Sequence, residues 1–369
     1  MLITPQVEFM FSGQMIPMDM FRSLTYFESV YGCAAWSMAL TAPRWEDWDK
    51  IIQDSAKTVC QLRWGYLADN QPHWGAWRKV LVNAGRFDYS MNTLKVNVQS
   101  TDMGIRLREK CYERVFKEKT ISDMVKKIAT DAGLTPDVES TEGKYTLYSC
   151  TYDDGAFLKH ELLPRAVSSS GRNDFYMYVK NGDTLVFRPP ELGRGNYTFR
   201  LAPTAGNEGT TPISALRVEY RRLYLPLDGS MSTLVRGFDP LKKVPVFWTA
   251  NDNTVTYKPL ASNKPDAPNK PSSVVYLPEP HGPDFENKHV ENRAKSSWSR
   301  ELHGTFRVAL RVLPIPDAEV GSTVDLEVEN YQGKNHFLGG NYFVYAIRHL
   351  IRANGTYYTV LYLERRTSA

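Results

Sequence analysis

Cysteine and histidine are scarce in this chain of 369 residues, at four and seven, and neither is grouped. Cys33, Cys60, Cys111 and Cys150 lie 27, 51 and 39 residues apart, with no C-x-x-C pair and no histidine at ligand spacing. That excludes a zinc-finger or dithiol motif and leaves buried free thiols as the expected state. His73, His160, His281, His289, His303, His336 and His349 are scattered; the closest pair, His281 and His289, flanks a loop, so surface or hydrogen-bonded histidines are expected and no metal centre. Charge of one sign is lacking too. Lys and Arg total 45 against 41 Asp and Glu, a net of +4, too little to indicate a polyanionic partner, so no specific nucleic-acid binding is expected. No apolar run approaches the ~20 residues of a membrane-spanning helix. The N-terminus MLITPQVEFMFSGQMIPMDMF has no basic segment leading into an apolar one, so no Sec-type signal is read and folding in a cytoplasm is expected.

What is present is ordinary globular composition, 42% hydrophobic and 23% charged with 12% aromatic, over a length that suits roughly two to four domains. Residues 7–42 carry short apolar stretches with turn residues between them, which predicts strands with a hairpin. TAPRWEDWDKIIQDS places Trp45, Trp48 and Ile52 on one helical face, predicting a short amphipathic helix. Strands follow in TVCQLRWGYL, WRKVLVNAGRFDYS and NTLKVNVQS, the last with Leu94, Val96 and Val98 on one side and Lys95, Asn97 and Gln99 on the other.

The period then changes. Thr120 is set as N-cap, Ile121, Met124, Val125, Ile128 and Ala129 recur at helical spacing, and Gly133 suits a left-handed C-terminal cap. A second helix is predicted from Asp153, with Asp153 and Asp154 capping its start and Pro164 bending or restarting it. Asn181-Gly182 between β-prone runs predicts a tight hairpin, as does Asn354-Gly355. β-Pattern returns in ISALRVEYRRLYLPL and in STLVRGFDPLKKVPVFW, the latter as two strands turning at Asp239-Pro240. Seven prolines between Pro259 and Pro283 forbid helix and central strand, giving a long extended arm or loop. Such an arm either binds a partner or is a surface loop. A polar helix in DFENKHVENRAKSSWSRELH and four closing strands complete the chain. No fixed-period repeat relates the two β regions.

Reactive constellations are absent. There is no P-loop, H-E-x-x-H, G-x-S-x-G or EF-hand loop, and Gly193-Arg194-Gly195 lacks a third glycine and reads as a turn. Trp45-Glu46-Asp47-Trp48-Asp49 has the carboxylates and aromatic platforms of a glycan cleft, but helical spacing already explains the tryptophans as core anchors and the acids as a solvated face. Asn196-Tyr197-Thr198 and Asn354-Gly355-Thr356 match the glycosylation pattern and, without a secretory signal, read as chance. No catalytic, cofactor-binding or metal residue is assigned, no cofactor is expected, and the chain is read as not an enzyme.

The order of elements resembles the baseplate hub proteins of contractile-tailed bacteriophages, the late-control-protein-D family, related to the N-terminal hub part of type VI secretion spike proteins. The resemblance rests on NTLKVNVQSTDMGIRLREKCYERVFKEKTISDMVKKIATDAGL, a barrel-ending strand followed by a helix; on SCTYDDGAFLKHELLPRAVSSSGRNDFYMYVKNGDTLVF, a helix then an aromatic hairpin; and on LGGNYFVYAIRHLIRANGTYYTVLYLERR, a closing hairpin. It implies a mainly β fold with α+β character. Two tube-protein-like antiparallel β-barrels (1–108, and 206–258 with 303–369) flank a small α/β domain (109–205), with a proline-rich arm and helix (259–302) inserted in the second barrel. It further implies a homotrimer whose six barrels join a sixfold tail tube to a threefold central spike. Its partners would be the spike, the tube or tube-initiator protein, and baseplate wedge or tape-measure proteins. Its place would be the virion tail, assembled in the host bacterial cytoplasm. The chain carries no needle or lysozyme-like segment after the hub, so spike and wall hydrolase are expected to be separate proteins. The hub of a phage-tail-like injection system fits the same residues, and a glycan-binding or wall-hydrolysing tail component is the rival of another class.

Overall fold

The architecture was read from a computed structural model. The structure describes residues 4–42 without 12 and 31, 59–149 without 91, 92 and 110, 153–201 without 192–194, 213–222, 233–239, 244–250, 273–276, 290–297, 306–328, and 336–365 without 337. The helix expected at Trp45–Asp49, Cys150, His281, His289, His303 and most of the proline-rich arm lie outside the described residues.

The N-terminal part is built from β1 (Thr4–Phe11), β2 (Gln14–Met15), β3 (Phe21–Ser29), β4 (Gly32–Ala42), β5 (Val59–Ala68), β6 (Gln71–Trp74), β7 (Arg78–Ser90) and β8 (Thr93–Asp102). Alternation drives it. In β1, Val7, Phe9 and Phe11 are buried while Thr4, Gln6, Glu8 and Met10 alternate outward. Leu94, Val96 and Val98 of β8 face the same core, as their spacing predicts. Its long strands pair antiparallel in the order β1-β5-β7-β8-β4-β3.

The middle part contains β9 (Arg114–Lys119), α1 (Ile121–Asp131), β10 (Thr135–Val138), β11 (Tyr145–Ser149), α2 (Asp154–Phe157), β12 (Tyr176–Lys180) and β13 (Thr184–Arg188). In α1 the predicted cap is present, Thr120 Oγ1 accepting from Asp123 N at 3.1 Å, and Gly133 follows at φ +72°. Ile121, Met124, Val125, Ile128 and Ala129 are wholly buried. At the second helix Asp153 is the N-cap, accepting from Ala156 N, but Asp154 does not cap. It is buried and takes a two-pronged hydrogen bond from Arg114 (2.8 Å each), because the strand before α1 brings that guanidinium over the helix start. After α2 the chain widens into a π turn over Leu158–Leu162 and tightens again at Leu163–Arg165, where Pro164 sits in the first turn.

The C-terminal part holds β14 (Tyr197–Leu201), β15 (Ile213–Arg222), β16 (Thr233–Asp239), β17 (Val244–Ala250), β18 (Ser273–Tyr276), α3 (290–297), β19 (Phe306–Val312), β20 (Thr323–Val328), β21 (Gly340–Arg352) and β22 (Tyr357–Arg365). Six strands close a ring, β21-β20-β14-β15-β19-β22 and back to β21. Three details depart from the sequence reading. The barrel is not wholly antiparallel, because β14 runs parallel to both β15 and β20. The same strand lies within 109–205, expected to be the small α/β domain, yet its hydrogen bonds place it in the ring. The proline-rich arm also contains a strand: β18 pairs parallel with β16, which pairs antiparallel with β17 from Thr233↔Ala250 to Asp239↔Val244. It sits at the edge of that small sheet, where flanking prolines remove no ladder bond.

β21 joins the halves. Gly340–Phe343 pair with β20, Ala346–Arg352 pair with β3, and β22 runs along the other edge throughout. Ile351 and Tyr357 at the tip of this hairpin pack into the N-terminal core. The β12–β13 hairpin is the second connector. Its turn, Asn181 at φ +52° and Gly182 at φ +83°, is the predicted Asn-Gly turn. Asn181 O accepts from Lys79 N (2.9 Å), Gly182 O accepts from Met103 N (3.0 Å), and Lys79 Nζ meets Asp183 at 2.7 Å. On its other side Tyr176 lies edge-on to Phe343 at 5.1 Å, and Lys180 pairs with Glu319 at 2.8 Å.

A methyl group on Gly182 would overlap the Lys79 carbonyl, whereas one on Gly355 (φ +91°) meets nothing. Gly182→Ala is expected to lower stability by about 3 kcal/mol or more, through backbone overlap added to left-handed strain, and Gly355→Ala by about 1 kcal/mol from strain alone. Urea denaturation of both variants checks this; equal losses would show that the turn does not dock on β7.

Candidate functional site

The residues singled out by sequence do not converge. His73 is exposed and stacks on Tyr66 at 4.9 Å; His160 is exposed, its carbonyl accepting from Arg293 at 2.8 Å; His336 Nδ1 accepts from Leu338 N at 3.2 Å. Cys60 is buried, Cys33 half-buried, and burial pushes both thiols up to about 12, so neither is nucleophilic at neutral pH. Cys111 corrects the expectation of buried thiols: it is exposed, because it lies in the irregular segment leading into β9. Of Gly193-Arg194-Gly195 only Gly195 is among the described residues; its N donates to Asp325 at 2.9 Å, where a side chain would collide with the Val324–Asp325 backbone. Asn354 Oδ1 accepts from Thr356 N at 3.2 Å, a hairpin-turn bond. Among the described residues no three His, Cys, Asp or Glu gather as a metal site, and no helix is long and apolar enough to cross a membrane.

The structure instead assembles polar groups at the joint where β21 enters the N-terminal sheet. Arg78, at the start of β7, is buried with its guanidinium 4.0 Å from the Trp64 ring and 5.3 Å from Tyr26. His349 of β21 lies 4.9 Å from Trp64, with Tyr357 Oη and Thr359 Oγ1 each 3.3 Å from its Nδ1. Thr359 Oγ1 also accepts from Ile315 N at 3.1 Å, tying the loop before β20 to the hairpin. Burial, and then the charge of Arg78, holds His349 well below its usual pKa, so it is neutral.

Two carboxyls complete the joint. Glu28 of β3 is 6% exposed and Asp102 at the end of β8 is 1% exposed. Asp102 accepts from Ala34 N at 2.7 Å and Gly104 N at 2.8 Å. Burial raises both to about 7, opposed by Arg78 at Glu28 and by the two backbone donors at Asp102. Glu28 also feels Asp102, Glu319 and Lys180, so all three parts of the chain act on it. Asp102 ties the end of β8 to β4 and to the turn that follows, whereas Glu28 acts on the joint through its charge. The alternation of β3 carried a signal for Glu28, which shares the inward parity of Leu24 and Tyr26, and that of β21 carried one for His349, beside Ile347 and Ile351. Arg78, opening a strand, carried none.

A carboxyl held protonated up to about pH 7 when folded but released near 4 when unfolded gives stability that is full below about pH 4 and lost as pH rises to 7. Relative to the parent, Glu28→Gln is therefore expected to gain about 2 to 3 kcal/mol between about pH 5 and pH 8, from 1.36 kcal/mol per pH unit. Urea midpoints of the two proteins across that range test it; a constant difference would mean Glu28 ionises normally.

No family model and no curated protein sequence matches the chain. Solved structures do. A tail protein from Neisseria meningitidis MC58 superposes with a TM-score of 0.66 at 11% identity, covering 98% of this chain and 97% of that one. The 43 kDa tail protein of prophage MuSo2 from Shewanella oneidensis gives 0.66 at 10% identity, covering 98% of both chains. A type VI secretion component of E. coli, described as similar to the T4 bacteriophage tail proteins gp27 and gp5, gives 0.57 at 9% identity over 98% of this chain and 78% of its own. Over essentially its whole length, the chain has the fold of these phage tail and type VI secretion proteins.

Proposed function

We propose that the chain is the structural, non-enzymatic hub of a contractile phage-tail baseplate. It forms a homotrimer whose ring of six β modules joins a sixfold tail tube to a threefold central spike. The observation that carries this reading is the pairing of two six-stranded β modules in one continuous ladder, in a fold that matches phage tail proteins end to end. Three copies of a two-module chain supply six similar wall elements with a threefold repeat, the form an adaptor between those symmetries requires. Residues 1–108 are the first tube-like module. Residues 206–258 with 303–369, together with β14, make up the second, with β16 and β17 outside its ring in the small sheet they form with β18. Residues 109–205 up to β14 wedge between them, and 259–302 are an insertion. Spike, tube, wedge and tape-measure proteins are its partners, and the virion tail is its location.

The likeness to a type VI secretion component favours one second reading, the same hub role in a phage-tail-like injection particle without a capsid. No observation favours the glycan-binding or wall-hydrolysing reading, whose Trp45–Asp49 segment lies outside the described residues.

Purified protein is expected to have three times the chain mass of 42.1 kDa by native mass spectrometry, and to co-purify with a spike protein encoded nearby. A monomer persisting at high concentration, or release of peptidoglycan fragments from cell walls, would overturn the hub reading.

A further inference from the structure

The outward faces of the joined sheets carry a row of residues fixed by backbone register. Val360 of β22 lies opposite Arg311 of β19 on one side and Arg348 of β21 on the other. Arg348 in turn lies opposite Phe27 of β3, Phe27 opposite Ala35 of β4, and Ala35 opposite Thr101 of β8. The row therefore crosses from the ring into the N-terminal sheet without a break.

Its two arginines are exposed, two strand spacings or about 10 Å apart, and each stands on an aromatic ring. Arg311 is 3.8 Å from the Tyr358 ring and Arg348 is 5.6 Å from Phe27. Among the described residues neither guanidinium is in an ion pair, whereas Arg307, two residues before Ala309, binds Glu364 at 2.7 Å. The rings orient the planar cations and leave their N–H edges toward solvent. Beside Arg348 the sheet surface sinks into a shallow depression of about 400 Å³ lined by Thr25, Phe27, Ala35, Ser37 and Gln99. Small outward side chains make it, and Arg348 is the sole charged group on its lining among the described residues. Exposed Arg and aromatic groups over an uncharged trough match the composition of protein-docking surfaces.

We propose that this depression and the Arg348–Arg311 row form a docking site for an acidic segment of a partner protein. The backbone of that segment lies over the small residues of the trough, and its carboxylates reach the two guanidiniums. Charge complementarity selects the partner: the trough offers no acidic group, and the two cations bring their own aromatic support.

A fluorescein-labelled oligoglutamate peptide tests this by anisotropy on the full chain. Saturable binding that weakens with salt and falls about tenfold in Arg311→Glu/Arg348→Glu supports it, given two exposed charge contacts. The control Arg86→Glu reverses an arginine that is 79% exposed and paired with Asp88 elsewhere, and it should bind as the parent does. Ser37→Trp fills the trough without touching charge and should weaken binding as well. Absence of binding, equal loss in the Arg86 control, tighter binding of a short DNA duplex, or loss of the oligomer in the doubly reversed variant would each overturn the proposal.

Discussion

Everything in this molecule depends on one strand serving two sheets. β21 spends its first residues closing the ring with β20 and its last seven extending the N-terminal sheet beside β3, while β22 occupies its other edge throughout. A register slip would turn every inward side chain outward, so a strand held by three neighbours has one setting that satisfies both cores. The bulge between Val344 and Ala346 falls where the partner on that edge changes. An extra residue there lets the strand bend from one sheet into the other without breaking its pairing with β22. Hydrogen bonds shared across modules are a stiffer link than a flexible tether.

The β12–β13 hairpin reinforces that link by wedging between the halves, and the chemistry beneath it is unusual for a β core. Two carboxyls and one guanidinium are buried together around Trp64 and Tyr26. A charge kept from water is tolerated only when opposed: burial raises both carboxyls to about 7, Arg78 opposes that rise at Glu28, and two backbone N–H groups oppose it at Asp102. Those N–H groups come from β4 and the turn after β8, which fixes where three segments meet. The joint thus trades some stability for a single geometry, since a displaced hairpin would strand a charge.

Local features were legible in the residues. The alternation of β8, the capped helix α1 and both Asn-Gly turns follow from patterns spanning a dozen residues or fewer, and each is found where it was read. The order of elements carried the resemblance to tail hub proteins, and the fold bears out its mainly β architecture. Non-local features were not legible. Nothing in Tyr197–Leu201 says that it will run parallel to two strands, because that direction is set by a neighbour more than a hundred residues away. A four-residue strand among prolines was hidden because an edge strand needs only one ladder. Arg78 is illegible for the same kind of reason: it lies against rings from β3 and β5 and near the acid Glu28 of β3, none adjacent in sequence.

The inward and outward parities of the same strands divide the work. On β21, Ile347, His349 and Ile351 fill the joint while Arg348 faces out; on β22, Tyr357 and Thr359 grip His349 while Tyr358 and Val360 support the outer row. A residue facing out from such strands is held by backbone pairing on both sides and by the packing behind it. Its backbone position is therefore fixed as firmly as the core, and little backbone entropy remains to be lost when a partner binds. The strand that locks the two modules together also presents Arg348 at the seam, so geometry at the surface cannot change without the joint changing with it.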